Sequence, residues 1–106
     1  MAAWVNVGSV EEIPPGAYKT IDINDVMVAV FNLDGTLYAI EDVCTHDGGI
    51  LTGGDLEGHV ITCPRHGAQF DIRNGEVLRE PAYEPVATFP VRIHEGMIQT
   101  RDDRWD

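Results

Sequence analysis

Both cysteines and three of the four histidines of this chain fall between Cys44 and Gly67, in the stretch CTHDGGILTGGDLEGHVITCPRHG. Two of those histidines follow a cysteine closely, in Cys44-Thr45-His46 and in Cys63-Pro64-Arg65-His66. Each pair offers one soft thiolate and one imidazole, and such donors suit transition metals. Pairs this far apart in sequence meet only if two loops are held side by side on a rigid frame. The glycine pairs Gly48-Gly49 and Gly53-Gly54 let the backbone turn tightly and come close to whatever the pairs hold. Amide N–H groups in such loops can also point at sulfur or another anion.

The rest of the chain supplies a frame of strands. Trp4 to Val10 and Ala17 to Ile23 alternate apolar and polar residues, and Val26 to Leu33 is a continuous apolar run. Asp34-Gly35 and Glu95-Gly96 each sit between two strand-like runs and predict hairpins. HVITC follows the turn-like LEG. AQFDI and EVL flank Arg73-Asn74-Gly75, where the Asn-Gly pair favours a type I′ turn. Pro90 inside its run predicts an edge strand or bulge. The only helical expectation is a single turn at Val10-Glu11-Glu12, capped by Ser9 and stopped by Pro14 and Pro15. Many short strands at close spacing predict an all-β antiparallel sandwich or barrel. The length of 106 residues predicts one domain over 1–106. Residues 43–84 form a loop-rich insertion of different texture, dense in Gly, Pro and turn residues. The charged tail RDDRWD is expected to fray, with Trp105 able to dock on the body.

Charge excludes several functions. Seven basic residues against eighteen acidic ones give a net charge of −11. Nucleic-acid phosphates and anionic membrane surfaces would be repelled. An acidic field can instead steer a basic partner protein, or it can simply keep the chain soluble. No apolar run approaches the roughly 20 residues that span a bilayer. The N-terminus lacks the basic flank and apolar core of a secretory signal, so a cytoplasmic location is expected. In that compartment the two cysteines read as metal chemistry before they read as a disulfide.

Three readings of the four donors compete. The first is a structural zinc site, although the usual Cys₂His₂ site sets both cysteines together and both histidines together. The second is no metal, with the four side chains as core or surface filler. The third is a Rieske [2Fe–2S] centre, in which two histidines replace two cysteines on one iron. A thiol–imidazole nucleophile at Cys63 and His66 would leave Cys44 and His46 unexplained. TGGDLEG lacks the ending of a phosphate-binding loop.

The boxes CTHDGG and CPRHG resemble those of Rieske proteins. The continuation AQFDIRNGEVLREPAYEPVATFPVRIHEGMI is similar to the soluble Rieske ferredoxins that serve bacterial aromatic-ring dioxygenases. The likeness runs from Trp4 to about Thr100. It implies a Rieske-type antiparallel β-sandwich or barrel base carrying a small cluster-binding subdomain, residues 43–84. It implies one [2Fe–2S] cluster, with Cys44 and Cys63 on an inner iron and His46 and His66 on an outer iron. It also implies that Pro81, in EPAYEP, belongs to a loop shielding the cluster from a third side; a plain turn proline is the other reading. The two imidazoles, with Asp47 to Ile50, Gly67 and Pro81, would then be the electron exit and docking face, with Arg65 at its rim.

Departures from the family pattern bear on the role. Rieske proteins of cytochrome bc complexes carry an extra cysteine in each box, joined as a disulfide; here those positions are Gly49 and Arg65. Those proteins also carry a serine and a tyrosine that donate hydrogen bonds to cluster sulfurs; here the positions are Ala68 and Phe70. An oxidised cluster with two thiolates and two neutral imidazoles sums to zero charge, so it takes an electron more readily than a four-cysteine cluster. Rieske centres span about −150 to +300 mV, against about −400 mV for plant-type ferredoxins. Lost sulfur hydrogen bonds and the acidic field place this one near the low end, at about −150 mV. The expected role is therefore that of a soluble one-electron carrier, a monomer with no catalysis of its own. It would take electrons from an NAD(P)H-dependent flavin reductase and pass them to a terminal Rieske oxygenase of aromatic hydrocarbon catabolism. The oxygenase itself needs a mononuclear iron with two further histidines, and His59 and His94 both read as surface residues. The alternatives are a protein like the nitrite reductase small subunit, or a zinc-stabilised interaction module.

Overall fold

The structure is a computed structural model of the chain and describes residues 3–45 and 48–104. Eleven strands among these residues form three antiparallel sheets, with no α-helix. None of the described helical structure is long and apolar enough to cross a membrane.

The middle sheet is the frame, in the order β2-β3-β4-β9: Tyr18–Ile23, Val26–Leu33, Thr36–Glu41 and Thr88–Phe89. Its interior strand β3 is covered on both faces. Val28 and Val30 face one core and Ala29 and Phe31 face the other, each at most 1% exposed. Burial on both sides is the reason that β3 reads as an unbroken apolar run. Fully burying a side chain such as Phe31 contributes about 1.5–3 kcal/mol.

The core around Val28 and Val30 also holds Val7, Ile13, Phe89 and Ile98. It is closed by the three-stranded sheet β1-β11-β10, built from Val5–Ser9, Met97–Thr100 and Val91–His94. These two sheets make the sandwich-like base. The core on the other face holds Phe31, Cys44, Cys63 and Phe70. A third sheet supplies its outer wall, in the order β5-β6-β7-β8: Leu56–Glu57, Val60–Thr62, Gln69–Asp71 and Val77–Arg79.

Turn chemistry explains most connections. Asp34-Gly35 and Glu95-Gly96 have positive φ at both residues, as a type I′ hairpin requires. Asn24-Asp25, without a glycine, does the same between β2 and β3. Pro90 sits where the chain leaves one sheet for the other, between β9 and β10, which are both edge strands. Its carbonyl oxygen accepts a 2.8 Å bond from the Thr100 hydroxyl.

Three local expectations need correction. Asn74-Gly75 does not form a type I′ turn, because Gly75 alone takes a positive φ there. The connection from Asp71 to Val77 is longer than a two-residue hairpin, and tertiary bonds set its shape. The Gly75 amide donates to the Asp71 carbonyl oxygen at 2.7 Å, and the Gly75 carbonyl oxygen accepts from the Val86 amide at 2.9 Å. Leu56–Glu57, read as part of a turn, is strand β5. Val10–Glu12 is a 3₁₀ turn, but Ser9 makes no side-chain cap bond. The Glu12 carboxylate is held by Lys19 instead, at 2.8 Å. The expectation for Trp105 lies outside the described residues.

Candidate metal centre

The two cysteine boxes fold into matching loops. The first leaves β4 at Glu41. The Cys44 amide donates to the Gly49 carbonyl oxygen at 2.7 Å, and the Gly48 amide returns to the Cys44 carbonyl oxygen at 2.8 Å. The second leaves β6 at Thr62. The Cys63 amide donates to the Ala68 carbonyl oxygen at 2.7 Å, and the Gly67 amide returns to the Cys63 carbonyl oxygen at 3.1 Å. Both loops therefore close with the same two bonds at the same offsets from the cysteine. Gly48 and Gly67 occupy equivalent positions with φ of 75° and 80°. A side chain at either would strain a left-handed conformation that glycine adopts freely.

Cys44 and Cys63 stand at the heads of these loops, 0% and 2% exposed, in one apolar cluster. Neither is in a disulfide. The positions expected to lack hydroxyl donors, Ala68 and Phe70, are fully buried in the same cluster. His66 lies three residues after Cys63 and is exposed, so one loop carries a buried sulfur and an exposed imidazole. His46, the remaining predicted ligand, lies outside the described residues. Among the described residues no three His, Cys, Asp or Glu side chains gather around a single metal position. His59, in the turn between β5 and β6, and His94, at the end of β10, are 44% and 54% exposed, beside Asp71 and Glu95.

The donor chemistry fits an iron–sulfur centre. Two buried sulfurs at the heads of matched loops, with an imidazole at the rim, are suited to a cluster with inner thiolate ligands and outer histidine ligands. Such a centre, once bound, accepts and releases one electron. The chain's own residues fix its loops in place. Asp42, buried just before the first loop, accepts at Oδ1 from the amides of Leu51 and Thr52 at 3.0 and 2.8 Å. Its Oδ2 accepts from the Thr52 hydroxyl at 2.6 Å. Its amide donates to the Met27 carbonyl oxygen at 2.8 Å, tying the far end of the loop to the base. A Cβ at Gly54 would collide with the Thr62 carbonyl oxygen, so the second glycine pair serves close approach to β6.

A third segment, 80–86, flanks the loops. Ala82 and Val86 are buried in the cysteine cluster, Pro81 is half-buried and Tyr83 is 80% exposed. The Thr45 hydroxyl donates to the Glu84 carbonyl oxygen at 2.7 Å. At the end of β7, Asp71 accepts from Arg73 at 3.1 and 2.9 Å. Hydrogen bonding to that guanidinium holds the Asp71 carboxyl below the usual carboxylate range, against the opposing effect of burial. Sequence reasoning missed Asp42, Thr45 and Asp71. Each is an ordinary polar residue in a loop or at a strand end, and only its tertiary partner marks it.

The fold and paired loops define an all-β iron–sulfur carrier domain, and the family model for the Rieske [2Fe–2S] domain matches residues 3–90. The chain belongs to that family, whose cofactor is one [2Fe–2S] cluster. It is 32% identical over 98 residues to the ferredoxin component of the naphthalene 1,2-dioxygenase/salicylate 5-hydroxylase systems of Ralstonia sp., covering 92% of this chain and 94% of that one. It is 40% identical over 86 residues to the biphenyl dioxygenase ferredoxin subunit of Pseudomonas sp. (strain KKS102), covering 80% and 79%. Among solved structures it resembles the Sphingomonas yanoikuyae B1 ferredoxin with a TM-score of 0.85 at 30% identity, covering 94% and 99%. A complex of reduced oxygenase and oxidized ferredoxin in carbazole 1,9a-dioxygenase gives a TM-score of 0.87 at 31% identity, covering 92% of each chain.

Proposed function

We propose that this chain is the ferredoxin component of a multicomponent aromatic-ring oxygenase system. It carries one electron at a time from an NAD(P)H-dependent flavin reductase to a terminal Rieske oxygenase, and transforms no substrate itself. The observation that carries this reading is the pair of matched loops with both cysteines buried in one cluster, in a chain whose relatives are dioxygenase ferredoxins along nearly their whole length. Cys44 and Cys63 bind the inner iron; His46 and His66 bind the outer iron. The single domain spans 1–106, with residues 43–84 as the cluster-binding subdomain. The protein works as a cytoplasmic monomer.

The docking face is the cluster tip. Ile50 and Tyr83 are large apolar side chains there, 62% and 80% exposed on the first loop and the third segment. Their exposure suits a brief, desolvating contact at a redox partner, in which small interfaces are usual.

The test is EPR before and after dithionite reduction, with iron and acid-labile sulfide counted on the same sample. A signal only after reduction, with the low average g of mixed nitrogen and sulfur ligation and two irons and two sulfides per chain, is expected. A colourless protein holding one zinc, after failed anaerobic reconstitution with iron and sulfide, would overturn the reading. His66→Cys adds a negative charge to the cluster and is expected to lower its potential. An unchanged or raised potential would remove His66 from the ligand set.

A further inference from the structure

We propose that Thr45 is a positioning residue whose hydroxyl, donating to the Glu84 carbonyl oxygen, holds the segment 80–86 closed against the first cysteine loop. The inference rests on the ligand set above.

The segment joins β8 to β9, and its C-terminal end is fixed to the frame. The Val86 amide donates to the Gly75 carbonyl oxygen at 2.9 Å, and the Glu41 amide donates to the Ala87 carbonyl oxygen at 2.9 Å. Ala82 is sunk in the cysteine cluster. Between these anchors Tyr83, Glu84 and Pro85 are exposed. Thr45 reaches into that exposed stretch at 2.7 Å, across 39 residues of sequence. It directly follows Cys44, so the bond links the cover to the loop that carries a ligand. Thr45→Val keeps the branched shape of the side chain and removes the hydroxyl that makes this bond.

The bond is exposed, and such a bond contributes about 1 kcal/mol net. Its loss raises the population of the open segment roughly fivefold. The global fold, held by the two cores, is left unchanged. Opening admits water and chelator to the centre, whereas the cysteines stay buried in the closed form.

The experiment compares the full chain as wild type, Thr45→Val and Thr45→Ser. Three quantities are read: the rate of iron transfer to a strong chelator, amide exchange at Ala82–Glu84, and the melting temperature. Thr45→Val is expected to lose iron and to exchange those amides about fivefold faster at an unchanged melting temperature. Thr45→Ser is expected to match wild type in both. The proposal is overturned if Thr45→Val matches wild type in exchange, if serine fails to restore it, or if the whole molecule melts in parallel. If the wild type binds no cluster, the ligand set fails, and amide exchange in the iron-free chain still decides the role of Thr45.

Discussion

The two cores on either side of the middle sheet are built differently. The base core around Val28, Val30 and Ile98 is aliphatic and aromatic throughout, and its strands turn by hairpins such as Asp34-Gly35 and Glu95-Gly96. The core on the opposite face contains two cysteines, and the third sheet that covers it has strands only two or three residues long. Strands that short bury too little to define loop positions. Specific bonds do it instead, from the Leu51 and Thr52 amides to Asp42, from Thr45 to Glu84 and from Arg73 to Asp71. The base is thus maintained by area removed from water, and the cluster side by directed polar contacts. The first tolerates small shape changes; the second leaves buried donors orphaned when one partner goes.

Variants can break this contrast, and the largest effect is expected in the base. Ile98→Ala empties a site 1% exposed and is expected to cost about 2–5 kcal/mol in urea denaturation. The molecules that remain folded should keep the wild-type EPR spectrum, since Ile98 packs in the other core. A changed spectrum would mean that the two cores are not separable. Next is Asp42→Ala, which strands the buried Leu51 amide at about 1–3 kcal/mol and frees the half-buried Thr52 amide to water. Iron should leave this variant before it unfolds, seen as visible bleaching at a lower temperature than the loss of strand circular dichroism. Coincident transitions would show that Asp42 supports the whole fold rather than the loop.

The smallest effect concerns Asp71 and pH. Its carboxyl is held below its unfolded range, chiefly by the hydrogen bond from Arg73. Its contribution is therefore present above the unfolded carboxylate pKa of about 3.9 and is lost as pH falls through the lower folded value. Arg73→Met should be less stable than wild type at neutral pH and should converge with it in acid, because both then carry a protonated Asp71. Urea midpoints across that range check this; a constant gap at every pH would mean that Arg73 acts by packing alone.

Periodicity and local chemistry made much of this molecule legible. Val26 to Leu33 announced a buried strand, and Asp34-Gly35 announced its hairpin, because side-chain burial and positive φ leave marks on neighbouring residues. The Cys-His boxes announced the centre, because few structures need thiol and imidazole in such pairs. Asn74-Gly75 misled, since its local turn preference yielded to the bonds that Gly75 makes with Asp71 and Val86. Asp42, Thr45 and Pro90 carried no sign of their partners. What the chain by itself determined was the strand pattern, the best hairpins and the candidate metal donors, all of which depend on residues close in sequence. What only the tertiary structure decided was that β3 divides two cores, that the boxes close as equivalent loops and that segment 80–86 lies against the first of them. Those features depend on contacts between residues far apart in the chain, whose energies exist only once the sheets have packed.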